Sequence, residues 1–180
     1  MTESIIRGTA WVGGNDIYAF DIIQQEHWTA PLDPELNSKW VMAGVDPMFE
    51  EEGAFKAKGY TFIVAGSNFG GGGKSIEHPI HGLIGAGIKA VLADSFSRLQ
   101  FRNAINNGLP FVTAKGVGSI VSTGDELEFD FATGRVTNLN NDKQIQGAPI
   151  AQFVTDISDA GGLIPYIRQA IADGTFKVMT

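Results

Sequence analysis

A run at residues 60–65, apolar but for Thr61, leads straight into Gly66-Ser67-Asn68-Phe69-Gly70-Gly71-Gly72-Gly73-Lys74-Ser75, and a helical pattern follows from about residue 76. Strand, glycine loop and helix in that order constrain the fold more than any other stretch. A short apolar run without polar alternation is a strand covered on both faces. Such strands lie in parallel sheets, whose connections return through a helix. Four consecutive glycines leave backbone N–H groups unshielded, the helix start adds a partial positive charge, and Lys74 adds a full one. The chemistry this suits is anion binding, of a phosphate or a carboxylate. A surface loop with no ligand is the plainer alternative, yet flexibility alone seldom places glycine directly before a helix start.

The flanking sequence supports an α/β class with a mixed sheet. Residues 5–12 read as a first strand closed by Gly13-Gly14, and residues 15–28 as irregular. Residues 34–42 and 46–58 look helical, each opened by an Asp-Pro pair that offers an N-cap and a first-turn proline. Glu50-Glu51-Glu52 then form a solvated helix face. The helix over 76–84 is expected to stop at Gly85. A second buried strand spans 90–93, and Asp94 and Ser95 are expected to cap a helix over 97–107 that ends at Gly108. Residues 126–131 and 135–139 alternate around Ala132-Thr133-Gly134, the pattern of a hairpin. Residues 145–153 add a further strand and 162–172 a terminal helix. No repeat or linker divides the 180 residues, so a single domain is expected.

Composition removes several function classes. Hydrophobic residues at 43% and charged residues at 18% describe a chain with a core, not a disordered one. With no Cys, the chain itself holds no disulfide, thiolate zinc site, Cys nucleophile or iron–sulfur cluster. A net charge of −7 argues against nucleic acid or an anionic membrane as partner. No apolar run approaches the ~20 residues of a membrane span. Met1-Thr2-Glu3-Ser4 opens no signal peptide, so the chain reads as cytoplasmic and soluble.

Two readings of the anion loop are available. Gly73-Lys74-Ser75 matches the end of a P-loop, and residues 91–94 suit a Walker B strand, but the first required glycine falls on Asn68. The other reading rests on a longer string. Gly66 to Gly72 followed by Glu77-His78, then Ala86-Gly87-Ile88-Lys89-Ala90-Val91-Leu92-Ala93, Ser95-Phe96, and Arg102-Asn103-Ala104-Ile105-Asn106-Asn107-Gly108-Leu109-Pro110 resembles the small subunit of 3-isopropylmalate dehydratase. That subunit is the counterpart of the swivelling domain of aconitase. Gly14-Asn15-Asp16-Ile17 with Ile22-Ile23, Gly124-Asp125-Glu126-Leu127, and Ala160-Gly161-Gly162-Leu163-Ile164 resemble the family's opening and closing motifs. Order and spacing agree throughout, apart from one extra residue in the glycine loop.

The resemblance implies an activity split between chains. A large subunit carries a [4Fe–4S] cluster, and the small subunit closes over it, supplying a base and carboxylate-binding groups. The implied reaction is reversible dehydration of a branched hydroxy diacid, often with rehydration at the neighbouring carbon. The family loop reads G-[DE]-N-F-G-C-G-S-S-R-E-H, with the first serine as base and the arginine as carboxylate clamp. Counting back from Glu77-His78, this chain has Ile76 at the arginine, Ser75 at the second serine and Lys74 at the base. Either Lys74 is the base, or the loop shifts by one, making Ser75 the base and Lys74 the clamp. Asn68, Gly70, Gly71, Gly72, Gly73 and Ile76 are the corresponding substrate-binding positions. The family's I-D-T-D before Ile-Ile is here Ile17-Tyr18-Ala19-Phe20, which points to a substrate unlike 3-isopropylmalate or to a divergent paralogue with altered chemistry. Tyr18, Phe20, His27 and Trp28 are placed at the substrate's variable arm, with a core role as the alternative for Trp28. His78 and His81 have ligand spacing, but His78 belongs to the loop motif and no metal is expected here. A non-catalytic subunit with a decayed loop is the remaining alternative.

Overall fold

The computed structural model describes residues 4–175; the reading of the N-terminus as leader-free rests on residues 1–3, which lie outside them. Seven strands form one sheet in the order β4-β3-β2-β1-β5-β6-β7. These are β1 (Ile5–Val12), β2 (Phe62–Ala65), β3 (Ala90–Ala93), β4 (Phe111–Thr113), β5 (Glu126–Asp130), β6 (Arg135–Asn138) and β7 (Gln144–Gln146). β1 is the seam. Its first half pairs antiparallel with β5, from Ile5 opposite Asp130 to Thr9 opposite Glu126, and its second half pairs parallel with β2, Ala10 opposite Phe62. The β1–β4 half is parallel and the β5–β7 half antiparallel.

The buried strands split their side chains by the two-residue period of the pleat. Ile63, Ala65, Val91 and Ala93 face a cluster with Ile80, Leu83, Phe49 and Phe55, while Phe62, Val64, Ala90 and Leu92 face Val112, Leu127, Phe129 and Val136. Both sides of the parallel half are therefore dry, as the unbroken apolar runs require. Burying each such large side chain is worth roughly 1.5–3 kcal/mol.

Around the sheet lie α1 (Ala19–Ile22), α2 (Pro34–Asn37), α3 (Ala54–Ala57), α4 (His78–Gly85), α5 (Arg98–Asn106), α6 (Gln152–Asp159) and α7 (Leu163–Ala172). The hairpin, the α5 segment and the terminal helix follow the sequence pattern. Several expected elements are shorter. The helix over 34–42 is one α-turn, then a 3-10 turn at Ser38–Trp40. Val41 goes extended and Met42 takes φ 65°, which delivers both side chains into the core and lets Met42 N–H donate to Ile22 O at 2.7 Å. The helix over 46–58 is broken by Gly53 at φ 76°, leaving a 3-10 turn at Pro47–Phe49 and α3, so Glu50, Glu51 and Glu52 are exposed in a bend and not on a helix face. Residues 15–28 contain α1 and a 3-10 turn at Gln25–His27. α4 begins at His78 and ends at Gly85, as expected to within a residue at that end, and Gly87 at φ 92° closes its C-terminus. The strand over 145–153 is confined to β7, because residues from Gln152 coil into α6.

The hairpin turn carries a titration signature. The Asp130 carboxylate accepts from Thr133 Oγ1 at 2.7 Å and from Ala132 N–H at 2.9 Å. The Thr133 hydroxyl is the largest cause holding the Asp130 carboxyl below its ordinary 3.8, with burial opposing it. A pKa lowered by folding adds stability that is present above the unfolded value and lost as pH falls through the folded one. Thr133→Val is expected to raise the Asp130 pKa and to weaken that acid dependence. Carbon-detected NMR titration of the Asp130 carboxyl checks this; an unchanged titration would exclude the hydroxyl as the cause.

Candidate active site

The glycine loop leaves β2 at the carboxyl ends of the parallel strands, where open α/β sheets place their ligands. Its first half is held on both sides. From the β1 side, Gly66 N–H donates to Gly14 O at 3.0 Å, Asp16 N–H to Ser67 O at 2.9 Å and Gly70 N–H to Ile17 O at 2.8 Å. Asn15 Oδ1 accepts from Ser67 N–H, and Asn68 Nδ2 donates to Asp16 Oδ1, both at 2.8 Å. Asp16 and Asn68 sit at φ 54° and 62°, so two non-glycine residues in the left-handed region hold each other there. From the β3 side, Asn68 N–H donates to Ser95 Oγ at 2.9 Å and Phe69 N–H to Ser95 O at 3.0 Å. Ser97 Oγ donates to Gly70 O at 2.6 Å.

Those contacts correct the expected cap. Ser97 caps α5, its Oγ accepting from Gln100 N–H at 3.3 Å. Ser95 instead pins the loop, and Asp94 Oδ1 accepts from Gly116 N–H at 2.6 Å. A serine two residues further along wins the cap because Asp94 and Ser95 still face neighbouring loops at the strand end.

Past Gly71 the loop opens. Gly72 and Gly73 take φ 92° and 69°, and residues 72–75 are exposed. The backbone N–H groups of Gly72, Gly73, Lys74, Ser75, Ile76 and Glu77 find no acceptor among the described residues. The arch comes down at Ile76, whose carbonyl accepts from Gln100 Nε2 at 2.9 Å and Asn103 Nδ2 at 3.1 Å. α4 follows at once, adding the positive end of its dipole. Six open donors, a helix start and the Lys74 side chain thus share one exposed arch. It suits an anion with several oxygens.

One wall of the arch is aromatic. The Tyr18 and Phe20 rings lie 5.2 Å apart, tilted by 40°. A Cβ on Gly71 would stand 2.7 Å from the Tyr18 ring, and one on Gly72 2.8 Å from Phe20, so glycine is what lets these rings reach the loop. Phe20 remains 39% exposed. His27 and Trp28 are placed differently. His27 stacks on Trp40 at 4.2 Å, and Trp28 donates from Nε1 to Ile23 O at 2.9 Å while packing on the core. Neither makes a hydrogen bond or ring contact to residues 66–76; their segment reaches α4 through His78 Nε2 at Ala30 O, 2.9 Å. His81 lies 3.8 Å from Glu77, and no trio of His, Asp or Glu among the described residues is grouped to hold a metal.

A P-loop is not what this loop forms. Lys74 and Ser75 precede α4, which begins only at His78, so the lysine is outside the helix's first turn. Sequence reasoning missed Gln100 and Asn103, which fix the arch from a helix remote in sequence. Asn103 lies in the motif string quoted above, whereas nothing local marks Gln100.

Comparisons with known proteins bear on the family and the fold. The Aconitase C-terminal domain family matches residues 25–115. The isopropylmalate/citramalate isomerase small subunit of Methanocaldococcus jannaschii is 41% identical over 95% of this chain and 98% of its own length. A 3-isopropylmalate dehydratase small subunit of Pyrobaculum calidifontis is 43% identical over 91% of this chain and 98% of its own. The crystal structure of 3-isopropylmalate dehydratase from Methanocaldococcus jannaschii superposes with a TM-score of 0.82 at 33% identity, covering 95% of this chain and 98% of that one. With a shared fold and likeness along nearly its whole length, the chain carries the aconitase C-terminal domain and belongs to the family of 3-isopropylmalate dehydratase small subunits.

Proposed function

We propose that this chain is the small subunit of a cytoplasmic, heteromeric hydro-lyase or isomerase acting on a branched hydroxy diacid related to 3-isopropylmalate. The open run of N–H donors from Gly72 to Glu77 beside Lys74 carries the reading, because it matches a carboxylate that must be held while a proton leaves the carbon next to it. The names of the similar proteins support the same class. Either Lys74 is the base, or Ser75 is the base and Lys74 clamps the carboxylate. As base, Lys74 Nζ uses the lone pair of its neutral amine, or Ser75 Oγ that of its alkoxide, to accept the proton, and the electron pair left on carbon forms the double bond as the neighbouring C–O bond breaks. Asn68 and Gly70 to Gly73 shape the cradle. Ile76, Tyr18 and Phe20 turn an apolar side to the substrate's arm, and His27 and Trp28 back the segment behind it.

The chain has no Cys, so its residues do not fit an iron–sulfur cluster. In this proposal the [4Fe–4S] cluster belongs to a large-subunit partner, and departure of the hydroxyl is left to that side of the site. The purified chain alone is expected to be inactive toward hydroxy diacids under anaerobic conditions. Adding a cluster-loaded large subunit should produce the absorbance of the unsaturated diacid. Turnover by the chain alone would remove the split-site reading, and magnesium-dependent nucleotide binding lost in Lys74→Ala would replace it.

A further inference from the structure

The amide of Gln100 is placed in a way that packing does not explain. Gln100 is 1% exposed in the first turn of α5. Its Nε2 donates to Ile76 O at 2.9 Å and reaches Lys74 O at 3.4 Å. Two carbonyls on that side fix the amide's orientation, since only its nitrogen can donate to them. Its Oε1 is therefore turned away, buried and without a partner among the described residues. A buried acceptor with no donor lowers stability, and a methionine of the same length would avoid that cost. Gly70 permits the approach, because a Cβ there would stand 2.6 Å from Gln100 Cβ.

We infer that Gln100 is a positioning residue: through the carbonyls of Lys74 and Ile76 it sets the height of the open arch, and so aims its N–H donors, Lys74 and Ser75 at the substrate carboxylate. The inference rests on the carboxylate reading of the arch. Ser97 holds the near end at Gly70 and Asn103 shares the far end at Ile76, which leaves Gln100 as the side chain that also holds Lys74. Stability has been given up at one atom to fix two others.

Two measurements test it. The first needs no partner: trypsin cutting after Lys74 in the isolated full-length chain. Gln100→Met removes both donors and the orphaned acceptor together, so the melting temperature should hold or rise while cutting at Lys74 accelerates about tenfold, the sign of local opening. The second uses the assembled enzyme with whichever of 3-isopropylmalate and citramalate it turns over. In Gln100→Glu, a protonated carboxyl can donate to Ile76 O, whereas an ionised one repels both carbonyls. Its kcat/KM relative to wild type should rise about tenfold from pH 8 to pH 6 as burial lifts the carboxyl into that range, and the Gln100→Met ratio should stay flat. A Gln100→Met chain that unfolds, or that resists trypsin as wild type does, overturns the inference. So does a flat Gln100→Glu ratio. If the assembled wild-type enzyme turns over no hydroxy diacid, the proposed function fails, and the trypsin comparison still decides the positioning role.

Discussion

In the assembled enzyme, Lys74→Ala and Ser75→Ala are expected to separate turnover from binding. The residue that takes the proton should cost about 10²–10⁴ in kcat when removed, the usual scale for a lost general base. The residue that clamps the carboxylate should leave kcat nearly intact and raise KM. A hydrogen bond to a charged group is worth roughly 1.5–3 kcal/mol, which corresponds to about ten- to hundredfold in KM. If Lys74 is the base, Lys74→Ala carries the kcat loss and Ser75→Ala is mild; if Ser75 is the base and Lys74 the clamp, Ser75→Ala carries the kcat loss and Lys74→Ala the rise in KM. Both side chains lie on the exposed arch with no hydrogen bond or ion pair from either among the described residues, so neither substitution leaves a buried partner stranded. Steady-state kinetics over a range of hydroxy diacid concentrations reads both constants. Wild-type values in both variants would mean that the arch is not the chemical site, and the decayed-loop alternative would stand.

Gly85→Ala is expected to be the most damaging single methyl group that can be added near the site. A Cβ at Gly85 would lie 1.8 Å from Pro34 O and 3.0 Å from Ser38 Cβ, inside the contact between α2 and α4. Backbone cannot retreat as a side-chain tip can. The cost should reach or exceed the upper end of the ~1–3 kcal/mol usual for overpacking. Gly87→Ala is the control. Gly87 has φ 92° and open space around it, so only the backbone preference is lost, about 1–2 kcal/mol. Urea unfolding of the two variants compares them directly, and a Gly85→Ala chain no weaker than Gly87→Ala would show that α2 can move aside. Since α4 begins where the arch ends, displacing it should also disturb carboxylate binding in any Gly85→Ala protein that still folds.

Much of the architecture was legible because two periodicities were clean. The unbroken runs at β2 and β3 demanded cover on both faces, and they received it. The hairpin was readable from alternation around Gly134, which takes φ 75°. Where the reading failed, distant contacts overrode local preference. Residues 34–42 have a good helix start, yet Val41 and Met42 are drawn out of the helix to fill the core against α1 and α4. Gly85 does stand at the end of α4, but what its missing side chain also serves, the passage of α2, is set by a contact remote in sequence.

The sequence by itself determined that a glycine loop rich in bare N–H groups leads from a buried strand into a helix, with a lysine on it. That follows from composition and order, because glycine exposes its backbone wherever it stands. It also determined the family, through a motif string whose spacing no local rule supplies. Which of those N–H groups remain open was decided only in three dimensions. Residues 66–70 spend theirs on oxygens of the β1 side and on Ser95, brought alongside by the parallel register of β1, β2 and β3, and Gly71 spends its own on Asn68 O within the loop. Residues 72–77 keep theirs because Gln100 and Asn103, some 24 to 27 positions away, hold the loop by its carbonyls and not by its donors. Hydrogen-bond partners that far apart in sequence leave no periodic trace, so the division of one loop into a pinned half and an open half belongs to the tertiary structure alone.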